Sequence, residues 1–334
     1  MSTRFAIVGM GFQGAGIAKI ALSRGHELVG AVDIGPKVGK PVSEFVDGAV
    51  PSAIVHGSVA DLVNLPEPPH FVLSAATIDD PEVELDLARP LLAAGIGYLT
   101  INPAVFELTP EQHAEIDALG RANNAGYGAV GMQDIWWVQL PTLAAAAISR
   151  LDEMRYHSRI DIDTLVGLEQ FLRMGEAPLA EGEPHPMQDW PSVMGDPMLT
   201  AARRMNLTPG EMTTYHEEVL AEKDLYWERG DLHVKVGHVV GSRSTNTFET
   251  AEGVSWRGVV EAVILQEGQT SRDEYQIIGE PSVTVTLDPY PGNRLTNAAA
   301  VSRIPDVLEG AGVLDPETLP APRFAPTVRF RESL

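Results

Sequence analysis

The chain has 334 residues, enough for two domains rather than one ordinary core. Its balance of 44% hydrophobic and 21% charged residues is that of a globular protein, and its formal net charge of −22 argues against nucleic acid or an anionic membrane as partner. No apolar run approaches the ~20 residues of a membrane span, and the absence of cysteine excludes disulfides, thiolate nucleophiles and Cys-ligated metals.

Residues 5–33 read FAIVGMGFQGAGIAKIALSRGHELVGAVD. An apolar strand (5–8) leads into a glycine turn, then a helix (15–23), then a second strand (27–32) that ends in Asp33. Because the first strand begins at residue 5, no room is left for a signal peptide and a cytoplasmic protein is expected. Gly9, Gly11 and Gly14 have the G-x-G-x-x-G spacing, with Phe12 and Gln13 completing the turn. Gly9 permits a tight turn, Gly11 lets the backbone approach a pyrophosphate, and Gly14 lets the helix pack close to the strand. The helix N-terminus offers free N–H groups and partial positive charge to phosphates. Asp33 lies 19 residues past Gly14, where a carboxylate accepts hydrogen bonds from the adenosine ribose and disfavours a 2′-phosphate. NAD is therefore favoured over NADP, with Lys37 and Lys40 able to offset the repulsion. The blander reading is a structural turn with Asp33 capping a strand.

Strand and helix signals alternate onward: a strand at 70–76, an amphipathic helix at 81–94 and a strand at 98–101. A helix follows at 110–123, opened by Thr109-Pro110, and then a strand at 127–130. This alternation predicts an α/β fold with an N-terminal Rossmann doubly wound parallel sheet. After Gln133 the pattern changes. Residues 136–150 read as helix and 155–163 as strand. Residues 174–215 lack periodicity and are expected to form a lid. Strand-like segments at 232–241, 253–266, 274–278 and 283–287 predict an α+β second domain with a mixed or antiparallel sheet. Residues 294–308 return to helix. The expected division is a dinucleotide-binding domain (1–134 with 294–334) and a substrate and dimerisation domain (135–293).

Four stretches carry a family resemblance: GMGFQGAGIAKIAL (9–22), ELVGAVDIGPKVGK (27–40), EGQTSRDEYQIIGEPSVTV (267–285) and TNAAAVSRIPDVLEGAGVLDPETLPAPRF (296–324). Together they resemble the 2,4-diaminopentanoate dehydrogenase and native amine dehydrogenase family, whose N-terminal domain is dihydrodipicolinate-reductase-like. The resemblance implies oxidation of an amine, or the reverse reaction on a ketone with ammonia, and a homodimer formed through the second domain's sheet. Two segments depart from the family. Where the family carries glutamate after the strand at 98–101, this chain reads Asn102-Pro103-Ala104-Val105-Phe106, with Glu107 the first carboxylate. Where the family has a Gly-x-Asn-Pro-Gly loop, the chain reads Gly131-Met132-Gln133-Asp134-Ile135-Trp136.

Hydride transfer needs a nicotinamide held against the substrate and a group that manages a proton. In an open α/β sheet the site lies beyond the C-terminal strand ends. That brings Ser74, Ala75, Ala76 and Thr77 to the cofactor, unless they form a plain strand-to-helix turn. Asn102 would hold the carboxamide or the substrate, or merely precede Pro103. Asp134, beside Trp136 and Trp137, replaces the family glutamate by position; otherwise it caps a helix. His157 shares one strand face with Arg159, Asp161 and Asp163, either a solvated face or a polar pocket floor. Asn102 and Asp134 from one side and His157 from the other are expected to frame the substrate, with Trp136, Trp137 and Trp190 as apolar walls. His185, Tyr215 and His216 fall in the expected lid. No metal is expected, since no histidine pair has zinc-ligand spacing on a helix.

Three functions compete. The first is an NAD(P)-dependent oxidoreductase acting on a small amine or imine. The second is a dehydrogenase acting on a C–O bond or a preformed cyclic imine. The third is a nucleotide-binding sensor without turnover. The acidic surface is compatible with a cationic substrate such as an amine.

Overall fold

A computed structural model describes residues 3–76, 80–102, 104–162, 194–228, 231–322 and 324. The chain forms two compact units, Met1–Ile135 with Arg294–Leu334, and Trp136–Asn293.

The first unit opens with β1 (Arg4–Val8), α1 (Phe12–Ser23), β2 (Glu27–Val32), the two-residue β3 (Val55–His56) and α2 (Val59–Val63). It continues through β4 (Phe71–Ser74), α3 (Pro81–Ala93), β5 (Gly97–Thr100), α4 (Ala104–Glu107), α5 (Pro110–Asn123), β6 (Gly126–Ala129) and α6 (Met132–Asp134). The strands are short apolar runs because both faces of a parallel sheet are covered. The start of α5 is fixed locally. Thr109 and Gln112 form a reciprocal capping box, Pro110 fills the first turn, and Asn124 closes the helix at φ 53°.

The second unit begins at a π-helical turn (Ile135–Gln139), followed by α7 (Leu140–Ala145) and β7 (Arg150–Asp161). Then come α8 (Gly195–Arg204), β8 (Thr213–Leu220), β9 (Leu225–Trp227), β10 (Leu232–Val234), β11 (Val239–Glu249), β12 (Ser255–Val263), β13 (Arg272–Glu280) and β14 (Val283–Leu287). The chain returns to the first unit with α9 (Asn293–Ser302), α10 (Ile304–Glu309) and β15 (Gly312–Val313).

In the first unit seven parallel strands run in the order β15-β6-β5-β4-β1-β2-β3. Strand alternation divides the core. Phe5, Ile7, Phe71 and Leu73 pack with α1 and the returning helices, whereas Ala6, Val8, Val72 and Tyr98 pack with α3 and α5. The sheet is thus doubly wound, and its order reverses between β1 and β4, the switch point where such sheets open a ligand crevice.

In the second unit the sheet is mixed, in the order β14-β13-β7-β12-β11-β8. Only the β7–β12 pairing is parallel among its described contacts. One face is covered by α7 and α8. Gly258 on β12 has no room for a side chain against the sulfurs of Met194 and Met198. The opposite face carries the charged residues of β7, β11 and β12.

Several sequence expectations are corrected. Residues 136–150 are not one helix, because Pro141 lacks the N–H that would continue the helical ladder to Trp137. The turn widens there, and the Tyr275 hydroxyl lies 3.4 Å from the Trp137 carbonyl. Residues 294–308 break at Arg303 because Pro305 begins a new helix. Within 174–215, residues 194–204 are mostly helix and 213–215 start an edge strand, so Tyr215 and His216 pair with β11 rather than form a lid. His185 and Trp190 lie outside the described residues.

Candidate functional site

The three glycines of the first turn have different reasons to be glycine. Gly9 adopts φ +85°, and a Cβ there would lie 2.6 Å from the Ala76 nitrogen. At Gly14 a Cβ would lie 1.9 Å from the Gly9 carbonyl oxygen, so this glycine is what lets α1 approach β1. Gly11 has ordinary backbone angles, φ −85° and ψ −163°, and a Cβ there would meet nothing within 4 Å. Neither strain nor packing demands glycine at position 11.

The turn opens onto the N-terminus of α1, which has no side-chain cap and no acidic residue in its first turn. Its leading N–H groups are those an anion would take. Gln13 adds a buried Oε1 without a hydrogen-bond partner, and Phe12 remains exposed. A phosphate group fits this cradle.

At the end of β2 the Asp33 carboxylate is already oriented. It accepts from the Met10 N–H at 2.8 Å, from the Ile34 N–H at 2.7 Å and from Lys37 Nζ at 2.9 Å. Lys37 Nζ also donates to the Met10 carbonyl at 2.9 Å. The lysine thus partly neutralises the carboxylate expected to read the ribose.

Ala75 and Ala76 follow β4 beside Gly9, with the Ala75 N–H bonded to the Val8 carbonyl at 2.8 Å. Ser74 is fully buried next to Tyr98, so its hydroxyl does not face the space expected for the cofactor. Thr77 lies outside the described residues.

Asn102 follows β5. Its Nδ2 donates to the Ala76 carbonyl at 3.0 Å and to Glu84 Oε2 at 2.7 Å. Glu84, on α3, is fully buried and also accepts from the Tyr98 hydroxyl. Tyr98 stacks on Tyr127 with ring centroids 5.9 Å apart. Burial, followed by the neighbouring Glu84 charge, pushes the Tyr98 hydroxyl well above its ordinary pKa and keeps it a donor.

Asp134, the expected proton-transfer group, lies in a buried ion pair. It is wholly buried and held by Arg303 in a two-pronged pair, Nε to Oδ2 at 2.6 Å and Nη2 to Oδ1 at 2.9 Å. Arg303 also donates to Asp306 and to the Pro320 carbonyl. The pair ties α6 to the returning tail, and the cap of α6 is Gly131, not Asp134.

His157 lies on the open face of the second unit's sheet, with Nε2 3.6 Å from Glu261. Glu261 also pairs with Arg159 and Arg243, each at 2.7 Å. Partial burial favours protonation of Glu261, but hydrogen bonds from His157, Arg159 and Arg243 win and hold its carboxyl down at about 2. His157 thus lies beside these ion pairs in a charged hollow of about 560 Å³.

Sequence reasoning passed over a second buried carboxylate. Asp273 on β13 is fully buried among Trp136, Trp137, Tyr156 and Tyr275, the two tyrosine rings being 4.5 Å apart. Tyr156 donates to its Oδ2 at 2.7 Å, and Trp137 Nε1 donates to the Tyr156 hydroxyl at 2.8 Å. Burial raises its carboxyl to about 6 in spite of Ser158, Tyr156 and Trp136. The stability consequence has a definite sign. Below pH ~4 folded and unfolded states both hold the proton; between ~4 and about 6 only the folded state does. Stability contributed by this group therefore falls as pH rises through that window. Asp273→Asn should match the parent near pH ~3 and gain on it by up to ~3 kcal/mol by pH ~7.5. Denaturation at four pH values checks this, and parallel pH profiles would contradict it.

Signals for these residues exist in the sequence. Glu84 takes a place in the buried stripe of α3 with Ala88 and Leu91, and Asp273 alternates with Tyr275 and Ile277 on an inward strand face. A charged residue at an apolar position is the mark of a buried network.

No protein-family model matches the sequence, and no curated protein matches it. Solved structures match along nearly its whole length. An amine dehydrogenase from Mycobacterium smegmatis superposes with a TM-score of 0.83 at 23% identity, over 97% of this chain and 98% of the other. A dipicolinate-bound dihydrodipicolinate reductase from a Paenisporosarcina species gives 0.51 at 15% identity, over 94% and 97%. A scyllo-inositol dehydrogenase from Lactobacillus casei, with bound NAD(H) and scyllo-inositol, gives 0.55 at 14% identity, over 85% and 76%. The fold is therefore that of Rossmann dehydrogenases, a parallel doubly wound unit joined to a mixed-sheet unit.

Proposed function

We propose that this chain is an NAD(P)-dependent oxidoreductase that moves hydride between nicotinamide and a small amine or imine, formed in one direction from a ketone and ammonia. The observation that carries the reading is Gly11. Its bare Cα faces open space at an uncapped helix N-terminus, where a dinucleotide pyrophosphate needs close backbone approach. The extent of the likeness to an amine dehydrogenase supports the choice of a C–N bond.

In this reading Gly9, Gly11, Phe12, Gln13 and Gly14 hold the pyrophosphate and Asp33 takes the ribose hydroxyls. Ala75, Ala76 and Asn102 border the nicotinamide. The nicotinamide, when bound, gives or takes the hydride. Reductive amination balances as ketone plus ammonium plus NADH plus one proton, giving protonated amine, NAD and water. A cytoplasmic homodimer formed through the second unit's sheet completes the proposal, supported by the ion pairs spread over that face.

A second reading, oxidation of a C–O bond, is favoured by one observation. Asp134, which stood in for the family glutamate, is spent on Arg303. The two separate in one assay. NADH or NADPH consumption with a ketone should require ammonium; equal consumption without it selects the C–O reading. If no ketone consumes reduced cofactor and no amine or alcohol reduces NAD or NADP, only a sensor is left.

Lys37 sets a further expectation. Asp33 favours NADH, and Lys37 softens its repulsion of a 2′-phosphate. Lys37→Ala should weaken NADPH binding by roughly tenfold, ~1.4 kcal/mol, and NADH binding much less. Clearly tighter binding of NADPH than NADH by the parent would mean that Asp33 does not read the ribose as proposed.

A further inference from the structure

The amide of Asn102 has two hydrogens and one oxygen to offer. Both hydrogens are spent, one on the Ala76 carbonyl and one on Glu84 Oε2. The Ala76 carbonyl accepts only, so it admits the NH2 end of the amide and rejects the oxygen end, and Glu84 Oε2 takes the second hydrogen. Glu84 is itself fully buried, fixed by the Tyr98 hydroxyl, and held on α3 within the apolar face that packs on the sheet. The Asn102 N–H donates to Thr100 Oγ1 at 3.1 Å, which pins the backbone as well. Asn102 Oδ1 is left as the amide's uncommitted group, half-buried just beyond the end of β5.

We propose that Glu84 is a positioning residue that fixes Asn102 with its oxygen available, so that Asn102 Oδ1 accepts a hydrogen bond from the carboxamide NH2 of the bound nicotinamide. The inference rests on the dinucleotide reading and deepens it. It assigns the polarity of one contact, an acceptor on the protein and a donor on the cofactor, and traces that polarity to the Ala76 carbonyl together with a buried carboxyl on α3. A lone asparagine is ambiguous by a 180° flip; the carbonyl removes the ambiguity, and the glutamate holds the amide in place.

The test compares three probes by equilibrium binding: NAD, its 3-acetylpyridine analogue, in which a methyl ketone replaces the carboxamide and removes the donor, and ADP-ribose, which has no nicotinamide. The parent should bind NAD roughly five- to tenfold more tightly than the analogue, the usual scale of one hydrogen bond. In Glu84→Leu the Asn102 NH2 loses Glu84 Oε2 and keeps the Ala76 carbonyl alone. With one anchor in place of two the amide is no longer held in one orientation, and the preference for NAD should shrink to within about twofold. ADP-ribose affinity should not change. An undiminished preference in the variant, or no preference in the parent, overturns the proposal. Should Glu84→Leu fail to fold, Asn102→Ala at its half-buried position must abolish the preference, and its persistence overturns the proposal equally. Failure of the parent to bind ADP-ribose sinks the underlying dinucleotide reading instead, and the proposal with it.

Discussion

Gly11→Val should cripple dinucleotide binding and leave the fold intact. Valine at this position meets no protein atom within 4 Å through its Cβ, and the backbone angles, φ −85° and ψ −163°, suit a β-branched residue. Stability should therefore stay within ~0.5 kcal/mol of the parent, the range of changes that touch no packed feature. Affinity for NADH should fall at least ~100-fold, or ~2.7 kcal/mol, because the isopropyl group takes the space of the pyrophosphate and blocks the leading N–H groups of α1. Gly14→Val is the contrasting control. Its Cβ would lie 1.9 Å from the Gly9 carbonyl oxygen, so this variant should lose the folded state itself. Thermal denaturation with and without NADH separates the two signatures. A Gly11→Val protein that binds NADH with parental affinity would remove the observation on which the proposed function rests.

Asp134→Ala should cost 3–5 kcal/mol of stability, the scale for removing one partner of a buried ion pair. The Arg303 guanidinium has no exposed surface, and without Asp134 it keeps, among the described residues, Asp306 and the Pro320 carbonyl. The loss should appear as a lower denaturation midpoint, with cofactor affinity of the folded fraction unchanged. Replacing both partners together, Asp134→Leu with Arg303→Met, should recover much of the loss, because an apolar pair needs no desolvation of charge. A variant with parental stability and collapsed turnover would restore Asp134 to the proton-transfer role that its place in the sequence suggests.

The first unit was legible where local chemistry decides the structure. The strand–glycine–helix unit at residues 4–32 follows from spacing alone, and α5 follows from Thr109, Pro110 and Gln112. What escaped was set by distant partners. Strand β3 is two residues long and exists only through pairing with β2, and β15 only through pairing with β6. The parallel pairing of β7 with β12 joins segments that start 105 residues apart, with no turn to announce it. The site divides in the same way. Gly9, Gly11, Gly14 and Asp33 were legible because the motif is local. The buried pairing of Asp134 was not legible because its partner lies 169 residues away, and Glu84 was missed because its partner Asn102 lies outside its helix.

The central claim is that hydride passes between nicotinamide and a carbon that bears nitrogen. The most direct measurement uses NADH or NADPH deuterated at the transferred position, a small ketone and ammonium, with the product analysed by mass and by NMR. The account predicts an amine with one deuterium on the carbon attached to nitrogen. Deuterium on the carbinol carbon of an alcohol, or a cofactor that keeps its label, would contradict it.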